Sequence, residues 1–170
     1  EAGLDIIVID HHVAEPRLPE GVLVVNPNRA DETSPHGHLA AVGVAFLLVV
    51  ALNRALRGAY WYDEGHVAPD LMDWLDLVAL GTICDVVPLI GVNRAMVTQG
   101  LKVLAQRGNP GITALADVAA ISERMDAYHV GFMLGPRVNA GGRVGESGLG
   151  VQLLTTSDDA EAAAIAGRLD

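Results

Sequence analysis

Asp5-Ile6-Ile7-Val8-Ile9-Asp10-His11-His12 sets four β-branched residues in a row and ends them abruptly in one carboxylate and two imidazoles. An apolar run of this kind reads as a strand buried on both faces of a parallel sheet, and ligands of such sheets gather at the carboxyl ends of the strands. Asp10, His11 and His12 occupy that end, where three polar side chains cost desolvation energy unless a cation or hydrogen-bond partners compensate. A metal site is the expectation there; a solvated turn is the alternative.

Working outward, Val22 to Val25 is a second short apolar run, halted by Asn26-Pro27-Asn28, and reads as a neighbouring strand. Beyond it the pattern is helical. A helix is expected over 39–56, where Ala40, Ala41, Gly43 and Ala45 permit close backbone packing. Pro69-Asp70 opens another, with Leu71, Trp74, Leu75, Val78 and Ala79 at helical spacing, ending near 81–83. The segment from Cys84 to Leu89 reads as extended, because Pro88 disfavours helical geometry at Val87. Further helices are expected at 93–106, 112–120, 126–134, 148–155 and 158–169. The fold class is therefore α/β, predominantly helical after the first two strands. A two-stranded parallel pair is not a viable sheet by itself, so the rest of the sheet is expected upstream of Glu1. With no initiating Met, the chain reads as a fragment.

Composition bounds the function classes. At 170 residues the chain has enough material for one ordinary domain, and with 51% hydrophobic but 4% aromatic residues its interior should be aliphatic, with little for a base-stacking platform. A formal charge of −10, with Lys102 the one lysine, gives no general attraction to nucleic acid, so any phosphate binding must be local. Cys84 is the one cysteine; there is no disulfide framework and no thiolate zinc cluster, a reducing cytoplasmic setting fits, and Cys84 itself reads as a small core residue. The uncharged stretch 37–53 is short, diluted by Ala and Gly and without interfacial anchors, which favours a buried core helix over a membrane span.

Consecutive side chains on a strand point to opposite faces, so Asp10, His11 and His12 can meet one ion only if the chain turns there. Their roles are expected to differ: His11 as a metal ligand, Asp10 as its orienter or a further ligand, and His12 as a phosphate contact or proton-transfer group, Asp10 and His12 thus forming the catalytic pair. Asp85 falls just past a helix carboxyl end, where the macrodipole disfavours an anion and a nearby cation would relieve the cost. A carboxylate capping backbone amides, or paired with an arginine, is the other reading of Asp85. Mixed imidazole and carboxylate ligands suit Mn²⁺ or Mg²⁺ better than a closed zinc site. Gly135-Pro136-Arg137-Val138-Asn139-Ala140-Gly141-Gly142-Arg143 reads as a Gly-rich turn in which Arg137, Asn139 and Arg143 could bind phosphate oxygens. Taken alone, such a turn is more often a surface loop. His36, His38, His66 and His129 read as loop or capping residues, and Trp61 and Trp74 as core or core-edge residues.

Val8-Ile9-Asp10-His11-His12 resembles the signature of the DHH phosphoesterases. The resemblance extends through Val25-Asn26-Pro27-Asn28, Ala41-Val42-Gly43-Val44-Ala45-Phe46, Leu77 to Thr82, Asp85-Val86-Val87-Pro88-Leu89, Asn93-Arg94, Pro110-Gly111-Ile112 and the segment from Gly135 to Arg143. The last of these narrows it to the branch of single-strand-specific exonucleases. The resemblance implies a Mn²⁺- or Mg²⁺-dependent enzyme that degrades single-stranded DNA from the 5′ end in recombination and repair, working in the cytoplasm, off the membrane and in the company of other repair proteins. It places His11 and Asp85 at metal positions, Asp10 and His12 in the same motif, and Arg137, Asn139 and Arg143 near substrate. It further implies that residues 1–134 are the C-terminal portion of the DHH catalytic domain, and that residues 135–170 carry the Gly/Arg phosphate-contact loop and lead to a DHH-associated domain. Aspartate-rich motifs that complete the family's two-metal site are absent from the chain, so it is expected to have little or no nuclease activity by itself. A phosphodiesterase acting on short oligonucleotides, cyclic dinucleotides or pyrophosphate, and a metal-free helical interaction module, are the alternatives.

Overall fold

The computed structural model describes residues 3–141 and 148–170. Two short strands, β1 (Ile7–Ile9) and β2 (Leu23–Val25), pair in parallel with Ile9 opposite Val25. Seven α-helices follow among the described residues: α1 (Ala41–Gly58), α2 (Leu75–Cys84), α3 (Gly91–Leu104), α4 (Pro110–Val118), α5 (Gly135–Ala140), α6 (Leu149–Thr155) and α7 (Asp159–Leu169). A 3₁₀ turn at Leu71–Trp74 leads into α2 and a π-helical stretch at His129–Leu134 leads into α5.

The helix starts carry local chemistry that the sequence displays. The Asp70 carboxylate accepts from the Met72 amide, Asn109 accepts from Ile112 ahead of Pro110, and Asp158 accepts from Ala160 and Glu161. Two clusters make the core. Leu39, Val44, Leu75, Val78 and Met96 form the smaller, against which Ile9 and Val25 pack from the strands. The larger joins α2 and α4 to α6 and α7 through Leu80, Ile112, Leu115, Leu134, Leu153 and Ile165, so the residues after Gly135 share one core with those before it.

Several expectations need correction. The strands are not buried on both faces: Ile6, Ile7, Val8 and Leu23 are exposed, and it is the carboxyl-end residues Ile9 and Val25 that pack against the smaller cluster. Helix α1 is long and apolar enough to cross a membrane by length and composition, but it is not the buried core helix expected from 37–53. Gly43 and Val44 are its buried residues, while Val50 and Leu52 face outward. Trp61 and Trp74 are 53% and 42% exposed rather than in the core, since the chain between α1 and α2 runs over the surface. The Gly135–Ala140 segment is helical, not a turn. Proline at position 136 removes an amide donor and crowds the carbonyl four residues back; the preceding π-helical stretch widens the coil there and lets the helix continue. Cys84 likewise closes α2 with Asp85 as its cap, and the chain leaves the helix through Val86 at φ 58° before Pro88.

Candidate metal centre

The parallel register decides what meets at the end of the sheet. With Ile9 opposite Val25, the next residues, Asp10 and Asn26, lie side by side, and the Asp10 amide donates to the Val25 carbonyl at 3.1 Å. The chain then turns. Asp10 Oδ1 accepts from the His11 amide at 2.7 Å and the His12 amide at 3.2 Å, and contacts His12 Nδ1 at 2.8 Å. That turn cancels the alternation of a strand, so one ligand atom from each of Asp10, His11 and His12 lies within 4.8 Å of the others.

Asp85 joins them from another element. Its Oδ2 lies 3.3 Å from His11 Nε2, with the His11 side chain 15% exposed and that of Asp85 38%. The electrostatics of the cluster follow from its hydrogen bonds. The ring of His12 holds the Asp10 carboxyl below its ordinary range, helped by the His12 and His11 amides against the opposing effect of burial. In turn the Asp10 carboxylate raises the His12 imidazole, with Asp85 adding to the effect. His12 is the most open member, its side chain 78% exposed, and with Nδ1 tied to Asp10 its Nε2 is the nitrogen left to meet a ligand.

Two asparagines that carried no role in the sequence reading brace this corner. Asn26 Nδ2 donates to the His12 carbonyl at 2.9 Å and reaches Asp10 Oδ2 at 3.4 Å, while its Oδ1 accepts from the Asn28 amide. Asn28 Nδ2 donates to the carbonyls of His11 at 2.6 Å and Gly37 at 2.8 Å. The signal for them was their place directly after the second apolar run, since adjoining parallel strands end side by side.

A cleft of about 660 Å³ opens beside Asp85, walled by Gly81 and Cys84 of α2 and by Gly131, Gly135 and Asn139 across from them. Only a glycine at position 135 allows this approach, because a Cβ there would come within 2.8 Å of Cys84 Sγ. Cys84 therefore lines the cleft instead of filling the core as expected, its thiol turned toward the Val130 carbonyl at 3.9 Å and its pKa raised by burial.

The structure thus brings together Asp10, His11, His12 and Asp85, and sets Asn139 in the same cleft as Asp85. Arg137 is engaged elsewhere: Nε and Nη2 bind Asp170 Oδ1 at 2.8 and 2.6 Å, and Nη1 donates to the Met133 carbonyl. Arg143 lies outside the described residues. In donor chemistry the cluster fits a hard or borderline divalent ion, since it offers imidazole nitrogen and carboxylate oxygen, and Cys84 Sγ is not part of it.

No family model matches the chain. Over 99% of its length it is 44% identical to the single-stranded-DNA-specific exonuclease RecJ of Escherichia coli, of which it spans 30%. Among solved structures it is similar to RecJ of Thermus thermophilus in complex with Mn²⁺, with a TM-score of 0.79 and 38% identity over 99% of this chain and 24% of that one. The Mg²⁺ complex of the same protein gives a TM-score of 0.75 over 98% of this chain and 23% of that one.

Proposed function

We propose that this chain, which corresponds along nearly its whole length to a segment of RecJ, supplies one side of the metal centre and part of the substrate cleft of a single-stranded-DNA-specific exonuclease. The observation that carries the reading is the meeting of His11 Nε2 and Asp85 Oδ2 at 3.3 Å, beside the turn that gathers Asp10 and His12. The parent protein is a DHH-type phosphoesterase that hydrolyses phosphodiester bonds from the 5′ end of the strand, in the cytoplasm, as a step in recombination and repair. Its catalytic domain includes residues 1–134, and residues 135–170 lead toward a further domain. Because the chain spans 30% of the Escherichia coli relative, the segment by itself releases little or no nucleotide.

In this reading His11 and Asp85 hold Mn²⁺ or Mg²⁺. When bound, such an ion polarises the phosphodiester and makes water a better nucleophile near neutral pH. The remaining work falls to the chain's own side chains. Asp10 fixes the His12 ring through Nδ1, so that Nε2 faces outward and can hold or give a proton at a phosphate or leaving oxygen. The Asn139 amide, across the cleft from Asp85, can donate to a non-bridging oxygen. Arg137 acts only when its bonds to Asp170 exchange for phosphate, and Arg143 is the second candidate cation of that segment.

The test is nucleotide release from 5′-labelled single-stranded DNA by the full-length parent in Mn²⁺, alongside its His11→Ala and Asp85→Ala variants. Activity confined to single strands and reduced by about 100-fold or more in both variants is expected, the range for losing a metal ligand or its support. Variants with unchanged activity refute the site, and a parent that cleaves dinucleotides but not longer strands refutes the substrate.

A further inference from the structure

Asn93, in the first turn of α3, is 0% exposed, and the nuclease reading gives it no part. Its Nδ2 donates to two carbonyls, that of His38 at 2.6 Å and that of Pro88 at 3.1 Å. A carbonyl oxygen only accepts, so the NH₂ must be the end that faces them, and both of its protons are used. Its Oδ1 is buried and finds no partner among the described residues. An amide buried on those terms is a costly way to stabilise a helix start, and what its two donated bonds join explains its presence.

The two carbonyls belong to segments on either side of the metal centre. Pro88 follows Asp85 in the loop that leaves α2 through Val86 at φ 58°. Apolar burial does little to fix this loop, since Val86, Leu89 and Ile90 are exposed, and Ile90 gives α3 no side-chain cap. His38, by contrast, stands next to Leu39, which is 1% exposed in the smaller core cluster. On its other side is Gly37, whose carbonyl Asn28 holds together with that of His11. The two asparagines therefore stand in series: Asn28 joins the His11 turn to residues 37–38, and Asn93 joins residues 37–38 to the loop behind Asp85. We propose that Asn93 is a positioning residue for the metal centre, clamping the Asp85 loop to the segment that Asn28 ties to the His11 turn. The clamp sets the 3.3 Å approach of His11 Nε2 and Asp85 Oδ2. Asn93 works through backbone carbonyls and gives its hydrogen bonds to neither ligand side chain. The inference rests on the nuclease reading's assignment of His11 and Asp85 to the metal.

The experiment titrates the metal-stripped full-length parent with Mn²⁺, following the free ion by electron paramagnetic resonance, and melts each variant alongside. Asn93→Ala should weaken Mn²⁺ binding by about tenfold or more, the range for losing a partner that orients a metal ligand. Asn93→Ser, smaller than asparagine and still polar, is made with it, and whichever melts cooperatively is read. Ile165→Val, in the larger core cluster, should lower Tm and leave Mn²⁺ affinity unchanged, which separates placement from stability. His11→Ala and Asp85→Ala are titrated in parallel. If neither of these weakens binding, the metal assignment fails and this proposal falls with it; if both do while the Asn93 variants bind Mn²⁺ as the parent does, the proposal alone is overturned. It is also overturned if Ile165→Val weakens binding by the same factor as Asn93→Ala, or if neither Asn93 variant melts cooperatively, since the residue would then serve the fold rather than the site.

Discussion

Gly100 and Gly167 both lie inside helices, α3 and α7, and the same substitution should act on them in opposite directions. A Cβ at Gly100 would stand 2.1 Å from the Leu75 carbonyl oxygen and 2.5 Å from Ala79 Cβ, both on α2. Neither is the end of a flexible side chain, so relief requires α2 and α3 to separate. Overpacking costs about 1–3 kcal/mol, and rigid backbone neighbours put Gly100→Ala at the upper end, about 3 kcal/mol. Better helix propensity returns about 1 kcal/mol, leaving a net loss of about 2 kcal/mol. For a chain of this size that lowers Tm by about 4–8 °C. At Gly167 a Cβ would meet nothing within 4 Å, so propensity acts unopposed and Gly167→Ala should raise Tm by about 2–3 °C. Thermal unfolding by circular dichroism reads both. Since Asp85 caps the carboxyl end of α2, Gly100→Ala should also weaken Mn²⁺ binding measured by calorimetry, whereas Gly167→Ala should leave it unchanged. A Gly100→Ala chain that melts above the parent would refute the close approach of α2 and α3 and with it this account of how Asp85 is placed.

Three further outcomes are expected. Asn26→Ala removes the brace between Asp10 and the His12 carbonyl and should reduce Mn²⁺ affinity by about 10–100-fold in calorimetry with little change in Tm; unchanged affinity would show that the asparagine does not orient the cluster. Gly37→Ala puts a Cβ 2.5 Å from Asn28 Oδ1, whose amide is held at the His11 and Gly37 carbonyls, so it should shift the His11 and His12 resonances in NMR; unmoved resonances would count against that tether. The His129 pKa is raised first by Glu123 and then by Asp126, each bonded to one ring nitrogen. Its protonated pairing therefore adds stability fully below the unfolded pKa of about 6.5 and loses it as pH rises through the higher folded value. An NMR titration should find the His129 pKa above that of a free histidine and lowered by Glu123→Gln; an unmoved value would contradict the pairing.

Much of the site was legible in order along the chain, because the residues concerned announce themselves locally. An apolar run must end where polar side chains begin, so Asp10, His11 and His12 were marked as a strand-end cluster, and the helix before Pro88 marked Asp85 as lying at its exit. Asp70, which acts within a few residues of itself, was read at a helix start, whereas the capping roles of Asn109 and Asp158 emerged from the structure. Arg137 shows the opposite case: glycine and arginine spacing suggested a phosphate loop, whereas a π-helical stretch and a pairing with Asp170 made it part of a helix surface.

By itself the sequence determined the α/β class, the parallel strand pair, the order of every helix but α5 and the chemistry on offer at the end of the first strand. These follow from periodicity, capping and the cost of burying polar groups, all of which operate over a few neighbouring residues. Only the tertiary structure decided that Asp85 faces His11, that Asn26 and Asn28 brace the turn, and that Cys84 lines a cleft against Gly135. Those pairings depend on how closely α2 approaches its neighbours, and that distance is set by the summed packing of side chains far apart in sequence, which local pattern does not encode.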